Sequence, residues 1–92
     1  MTGLDRTKLV EELLRYTREE LETGLPPERI TPDSPLLEWG VLDSVRTARL
    51  LAHLRDDLGT RVPPTHMTAQ HFATLRAVAD LVLSLQEQTT AR

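Results

Sequence analysis

The chain has 92 residues, of which 39% are hydrophobic and only 3% aromatic, and it contains no cysteine. This length predicts a single domain over residues 1–92, with an ordered core at about 5–86 and a frayed polar tail at 87–92. A chain without cysteine has no disulfides and no thiolate metal sites, and a net charge of −3 without a basic tract argues against nucleic-acid binding.

Apolar residues at helical spacing predict a first helix from Asp5 to Thr23, with Asp5 as its N-cap and Gly24 as its stop. The residues expected to face the core are Val10, Leu13, Leu14, Thr17 and Leu21. All six prolines lie outside this helix, in clusters at 26–27, 32–35 and 63–64, and these clusters mark the breaks between elements.

The connection from Gly24 to Leu42 is long for a segment without regular structure, yet it is rich in apolar residues. These are Leu25, Ile30, Leu36, Leu37, Trp39, Val41 and Leu42. We therefore expect an ordered loop that crosses the bundle and brings Asp43 and Ser44 to a fixed place on the surface. We interpret Trp39 as an anchor that holds this loop to the bundle, in preference to a residue that contacts a ligand or a partner.

A second helix is predicted from Asp43 or Ser44 to Gly59. Its expected core-facing stripe is Val45, Ala48, Leu51, Leu54 and Leu58. Because Asp43 is a favoured N-cap, Ser44 takes the first helical position, with its hydroxyl exposed at the positive end of the helix dipole. That position favours a covalently attached phosphate. The alternative interpretation is that Asp43 and Ser44 only start a helix.

Three further features complete a predicted all-α fold. Val62, in the extended stretch 61–64, is expected to insert into the core, and a short helix is expected at about Thr68 to Phe72. The last helix begins after Thr74, a good N-cap. Its expected core face is Leu75, Val78, Ala79, Val82 and Leu85.

Two other chemistries fit the sequence poorly. Ser44 lies in no Gly-x-Ser-x-Gly elbow, and 92 residues leave little room for a catalytic triad, an oxyanion hole and a substrate pocket. His53, His66 and His71 share no tight pattern with carboxylates, so we expect no metal site.

Several different short motifs are distributed over most of the chain, from about residue 8 to residue 85. They are Leu36–Leu37, Gly40–Val45, Leu50–Leu51, Leu54, Leu58–Gly59, Val62–Pro63, Phe72–Leu75 and Ala79–Val82. Their joint spacing resembles the acyl carrier protein family, which includes peptidyl and D-alanyl carriers. The resemblance implies a four-helix bundle of three main helices and one short helix. It also implies a carrier rather than an enzyme, in which a phosphopantetheinyl transferase attaches 4′-phosphopantetheine to Ser44 beside Asp43. The thiol of that arm then holds a substrate as a thioester.

The resemblance further implies that partner enzymes dock on the second helix. Its expected solvent-facing residues are Arg46, Thr47, Arg49, Leu50, His53 and Asp57. Arg46, Arg49 and an exposed Leu50 are expected to select partners. Val45, expected to bury one side of the junction, and Trp39 complete the partner surface. The arginines depart from the acidic second helix of carriers in fatty acid synthesis, and so favour a dedicated pathway.

The Gly-Val-Leu-Asp-Ser form resembles freestanding carriers of amino acids or unusual acyl units more than the Leu-Gly-Ala-Asp-Ser form of fatty acid synthesis. We expect a discrete monomeric carrier in secondary-metabolite (natural product) biosynthesis, loaded by an adenylating ligase and serving downstream acyl-processing enzymes. No apolar run has membrane-spanning length and no signal peptide is visible, so a cytoplasmic protein without membrane or nucleic-acid partners is expected. The alternatives are a D-alanyl carrier for cell-wall modification and a cofactor-free helical interaction module.

Overall fold

The computed structural model describes residues 5–90, with side chains through residue 86, and in this part of the chain every regular element is helical. The helices are α1 (Arg6–Glu19), α2 (Ser44–Leu58), α3 (Ala69–Phe72) and α4 (Leu75–Thr90), and single 3₁₀ turns form at Pro27–Arg29 and Pro64–His66. The prediction of an all-α fold with three main helices and one short helix is confirmed.

Helix α1 begins as predicted but ends four residues early. The Asp5 side chain accepts a hydrogen bond from the Thr7 N–H, which confirms the N-cap. At the other end, the backbone N–H groups of Glu20 and Leu21 both donate to the Tyr16 carbonyl, at 2.8 and 3.1 Å. The chain then reverses at Glu22, whose φ of 58° is left-handed, and the reversal buries Leu21 completely. Gly24 therefore follows the turn and is not the helix stop.

Helix α2 has the predicted ends, but only part of its predicted core face is buried. Asp43 caps its start, and Gly59, with φ of 68°, donates its N–H to the Leu54 carbonyl at the other end. Leu50 is fully buried and His53 nearly so, although we expected both at the surface. Of the five residues expected in the core, Leu54 is buried, Leu51 and Leu58 are partly buried, and Ala48 and Val45 are exposed, Val45 by 66%.

The buried side of α2 differs from the predicted one because Tyr16 of α1 contacts α2. The spacing of hydrophobic residues along α2 does not reveal this contact. The rings of Tyr16 and His53 stack with their centroids 4.0 Å apart and their planes within 8°. The Tyr16 hydroxyl also donates to the Arg49 carbonyl, at 3.1 Å. These contacts turn the His53 side of α2 towards α1, and Leu50 enters the core with it.

The connection between α1 and α2 packs on the bundle through buried hydrophobic residues, which include Ile30, Leu36, Val41 and Leu42. The Arg18 guanidinium holds the Ile30 carbonyl with two hydrogen bonds, of 3.1 and 2.8 Å. Further along, the Leu36 N–H donates to the Ala73 carbonyl at 2.9 Å. Leu37 and Trp39, expected to be pinned with the others, are instead about two-fifths exposed.

The last two helices, α3 and α4, agree closely with the prediction made from the sequence. Helix α3 forms after Thr68, and the Thr74 hydroxyl accepts from the Ala77 N–H at the start of α4. All five predicted core residues of α4 are buried, and Val62 is partly buried against the same core. The backbone of α4 is helical to Thr90, four residues beyond the expected end of the core. The rest of the expected tail, 91–92, lies outside the described residues. No helix within the described residues is long and apolar enough to cross a membrane.

Candidate attachment site

The candidate site is the start of α2, where the α1–α2 loop ends and the chain becomes helical. Ser44 is the first residue of α2 and is exposed. Its hydroxyl makes no hydrogen bond with any other described residue, so the oxygen is available at the surface. The positive end of the α2 dipole is at the same place.

Asp43 fixes the local geometry of this start. One carboxylate oxygen accepts a hydrogen bond of 2.8 Å from the Arg46 backbone N–H, and the other accepts one of 2.9 Å from the Arg46 guanidinium. The backbone hydrogen bond is the main reason that the pKa of Asp43 is lowered. The carboxylate is therefore ionised at neutral pH and held in one orientation, with about half of its surface still exposed.

Arg46 connects this cap to the end of the α1 reversal. Its guanidinium donates two hydrogen bonds to the Glu22 carbonyl, of 3.0 and 2.8 Å, in addition to its bond with Asp43. Glu22 is the one non-glycine residue of the described chain with a positive φ. A left-handed non-glycine residue is strained and persists when its surroundings fix it. We infer that Arg46 helps to hold Glu22 in that conformation and so joins the two ends of the loop.

Arg49 is a freer cation than Arg46. Its contact with Glu22 is a longer ion pair of 3.6 Å, and about half of its side chain is exposed. A cavity of about 240 Å³ lies beside it. The cavity is lined by Leu21, Glu22, Asp43, Val45, Arg46 and Arg49, so two acids balance two bases there.

Trp39 and Leu50, both expected in the partner surface, lie in opposite environments. Trp39 is 42% exposed, and the Arg29 guanidinium carbon lies 5.3 Å from its ring centroid, in the range of a cation–π contact. It is therefore not the buried anchor that we favoured from the sequence. Leu50 is inside the core, so the expectation that it is an exposed docking anchor is wrong.

The three histidines do not come together. His53 is buried between helices, with Nδ1 2.7 Å from an Asp57 oxygen and Nε2 3.2 Å from a Glu12 oxygen. The geometry at Nε2 is too poor to count as a hydrogen bond. The rings of His66 and His71 lie 5.7 Å apart. No group of three or more potential metal ligands occurs among the described residues.

Sequence reasoning missed the roles of His53 and Glu22. The four-residue spacing of His53 and Asp57 on one helix was a visible signal, because side chains at i and i+4 are neighbours. The three-residue spacing of Asp43 and Arg46 was visible for the same reason. Nothing in the sequence pointed to the left-handed conformation of Glu22, because that conformation depends on how the loop closes.

A small helical bundle that offers a capped helix start with an exposed, unpaired serine hydroxyl has the form of a carrier protein, and comparison with known proteins gives the same class. The phosphopantetheine attachment site family matches residues 7–82. An acyl carrier protein of Saccharopolyspora erythraea is 30% identical to this chain over 82 residues, which are 89% of the chain and 82% of that protein. The chain belongs to the acyl carrier protein family.

This membership defines the general activity. The protein is a phosphopantetheine carrier and not an enzyme, and its prosthetic group is a covalently attached 4′-phosphopantetheine. That group supplies a thiol, which this cysteine-free chain lacks, to hold acyl groups as thioesters. Carriers of this family interact with phosphopantetheinyl transferases and acyl-processing enzymes. The start of α2 fits such a group, because the exposed Ser44 oxygen meets no competing hydrogen-bond donor or acceptor of the described chain.

Proposed function

We propose that Ser44 is the attachment residue and that the protein shuttles an acyl or aminoacyl group between the enzymes of a dedicated, secondary-metabolite pathway. The observation that carries the proposal is the exposed, unpaired Ser44 hydroxyl at the capped start of α2. The phosphodiester formed there carries a negative charge, and the positive end of the helix dipole stabilises it.

Asp43 and Arg46 contribute to this site by fixing the geometry of the start of α2. The clamp of Arg46 on Asp43 and on the Glu22 carbonyl fixes where α2 begins, and therefore fixes the direction of the Ser44 Cα–Cβ bond. A transferase then meets the hydroxyl in one geometry and loses little entropy in ordering it. The exposed part of the Asp43 carboxylate also offers a negative charge beside the hydroxyl.

The partner surface is proposed at Val45, Arg49 and Trp39. All three are exposed and belong to α2 or to the loop that precedes it. Arg46 is committed to its intramolecular hydrogen bonds, so Arg49 is the arginine better able to pair with an acidic partner. Exposed charges of this kind mainly set the rate of encounter and the choice of partner.

The arginines of α2, Arg46 and Arg49, support a dedicated pathway over general fatty acid synthesis, as do the residues Gly40–Ser44. In this proposal an adenylating ligase loads the arm, downstream acyl-processing enzymes receive the cargo, and the carrier is a cytoplasmic monomer. A D-alanyl carrier differs in the ligase that loads it, so a screen of adenylating enzymes separates the two.

The test is intact mass spectrometry after incubation with coenzyme A and a broad-specificity phosphopantetheinyl transferase. We expect the wild-type protein to gain one phosphopantetheinyl group and Ser44→Ala to gain none, with an unchanged circular dichroism spectrum. Absence of a gain in the folded wild-type protein with several transferases would contradict attachment at Ser44. The site would then be only a helix cap, and the cofactor-free interaction module would be the better hypothesis.

A further inference from the structure

A buried histidine joins α2 to α1. His53 lies in the middle of α2 with only 2% of its side chain exposed, and neither the attachment site nor the proposed partner surface uses it. Two carboxylates face its ring, one at each nitrogen. Asp57 of α2 lies 2.7 Å from Nδ1, and Glu12 of α1 lies 3.2 Å from Nε2. Because histidine is the side chain that titrates near neutral pH, this arrangement places a proton-binding group between the two helices.

The contact with Asp57 fixes one hydrogen of the ring. A carboxylate accepts hydrogen bonds and does not donate them, so Nδ1 carries the hydrogen of the 2.7 Å bond. In a neutral imidazole the other nitrogen, Nε2, is then an acceptor, and it is buried with no hydrogen-bond partner among the described residues. Its lone pair faces the Glu12 carboxylate, which has no hydrogen to donate. A buried acceptor opposed by a second acceptor is unfavourable.

Glu12 is not free to turn away from Nε2. Its two carboxylate oxygens accept hydrogen bonds from the Arg15 guanidinium, at 3.1 and 2.8 Å. These hydrogen bonds are the main reason that the pKa of Glu12 is lowered, so Glu12 faces His53 as a carboxylate at neutral pH. A second hydrogen on the ring, at Nε2, converts the contact with Glu12 into a charge-assisted hydrogen bond after a small change of angle.

The ring that stacks on His53 also suits a positive charge. Tyr16 lies over the imidazole with the centroids 4.0 Å apart, and an aromatic face attracts a cation. Burial raises the pKa of Tyr16, and its hydroxyl donates to the Arg49 carbonyl, so this side chain stays neutral. The charged and titratable residues that face the ring, or bind those that do, are Glu12, Arg15 and Tyr16 of α1 and Arg49 and Asp57 of α2.

We propose that His53 forms a pH-dependent link between α1 and α2. In mild acid its imidazolium joins Glu12 to Asp57, and in mild base loss of the Nε2 hydrogen breaks the link to Glu12 and weakens the contact between the helices. The folded chain then holds this proton more tightly than the unfolded chain, in which histidine titrates near pH 6.5. The stabilising contribution is complete below about pH 6 and is lost as the pH rises through the titration of the folded imidazole. The link does not depend on attachment at Ser44.

The direct test is nitrogen NMR of the imidazole rings in the full wild-type chain, followed from mild acid to mild base. The shifts of the two ring nitrogens report their hydrogens separately, and His66 and His71 serve as references in the same spectra. We expect His53 to carry hydrogens on both nitrogens at about pH 6 and to lose the one on Nε2 as the pH rises. A neutral His53 ring at that pH, or loss of the Nδ1 hydrogen first, would overturn the proposal.

Thermal unfolding of two matched variants locates the effect. Glu12 and Glu20 both bind Arg15, at 2.8 and 2.9 Å, but of these two acids it is Glu12 that faces His53. We expect the wild-type protein and Glu20→Gln to lose about 4 to 8 °C in melting temperature between about pH 6 and about pH 8.5. Glu12→Gln should lose less than half as much, because its side-chain amide can donate to the neutral Nε2.

The comparison of the two variants isolates His53 from the other histidines. His66 and His71 are unchanged in both variants, so their titration contributes equally to the two profiles. Equal losses in Glu12→Gln and Glu20→Gln would overturn the proposal. A wild-type melting temperature that does not fall over this pH range would overturn it as well.

Discussion

Asp43 and Arg46, at the start of α2, each make more than one structural contact. The Asp43 carboxylate caps the helix with one oxygen and binds Arg46 with the other, and Arg46 reaches on to the strained residue Glu22. Because Arg46 makes all of these contacts, one through its backbone N–H and the others through its guanidinium, loss of Asp43 should disturb both the helix start and the loop reversal. The orientation of Ser44 depends on both.

The first prediction concerns Asp43 as a positioning residue. Asp43→Ala should lower the melting temperature by about 2 to 8 °C, since loss of an aspartate N-cap destabilises a helix in a domain of this size. It should also slow the transfer of phosphopantetheine to Ser44. Asp43→Asn should lose less of both, because its amide oxygen can still accept the Arg46 N–H. The measurements are thermal unfolding by circular dichroism and the initial rate of mass gain.

Asp5 provides the matched control. It caps α1 through the same kind of bond, a 3.0 Å contact from the Thr7 N–H. Asp5→Ala should lower the melting temperature by a similar amount and leave the transfer rate unchanged. A transfer rate for Asp43→Ala equal to that of Asp5→Ala would mean that Asp43 supports the fold and not the site.

Among the elements, α2 shows both the strength and the limit of inference from sequence. Its ends were predictable, because Asp43 and Gly59 are local signals that act on the residues beside them. Its buried face was predicted only in part: Leu54 is buried as expected, but Leu50 and His53 were expected at the surface. Both are buried because Tyr16 of α1 stacks on His53, a contact with another helix. In α4, by contrast, the core face was predicted in full, since leucine, valine and alanine at helical spacing had no polar competitor. The candidate site shows the same division. The position of Ser44 at the helix start could be predicted from local signals, whereas the hydrogen bonds from Arg46 to Glu22 could not, because they form only when the loop closes.

The second prediction tests the face of α2. Leu50→Ala should lower the free energy of unfolding by about 2 to 5 kcal/mol, the usual cost of truncating a fully buried leucine. Val45→Ala, at a position 66% exposed, should change it by less than about 0.5 kcal/mol. Urea unfolding followed by circular dichroism measures both. The sequence-based stripe gives the opposite order, so a larger effect at Val45 would restore it.

For the whole molecule, the long loop and the first helix are both tied to α4 by ion pairs. Arg76 on α4 donates to both oxygens of Asp33 in the loop, at 2.8 and 3.0 Å, and Arg6 on α1 donates to both oxygens of Asp80, at 2.6 and 3.3 Å. The side-chain hydrogen bond from arginine is in each case the main reason that the aspartate pKa is lowered. These pairs are exposed, so each contributes modestly and their effect depends on salt.

The third prediction follows from these two aspartates. In the unfolded chain an aspartate titrates near pH 3.9, and in the folded protein Asp33 and Asp80 titrate lower, so the unfolded chain binds more protons in acid. Their stabilising contribution is therefore complete above about pH 5 and is lost as the pH falls through the folded pKa values. We expect the melting temperature of the wild-type protein to fall between pH 5 and pH 2. In Asp33→Asn/Asp80→Asn it should start lower at pH 7 and fall less steeply, because two of the titrating groups are gone. Thermal scans of both proteins from pH 7 to pH 2, in low salt and in 1 M NaCl, measure the melting temperature at each pH. If the melting temperatures of the two proteins fell in parallel in low salt, the two ion pairs would not be the cause of the acid sensitivity.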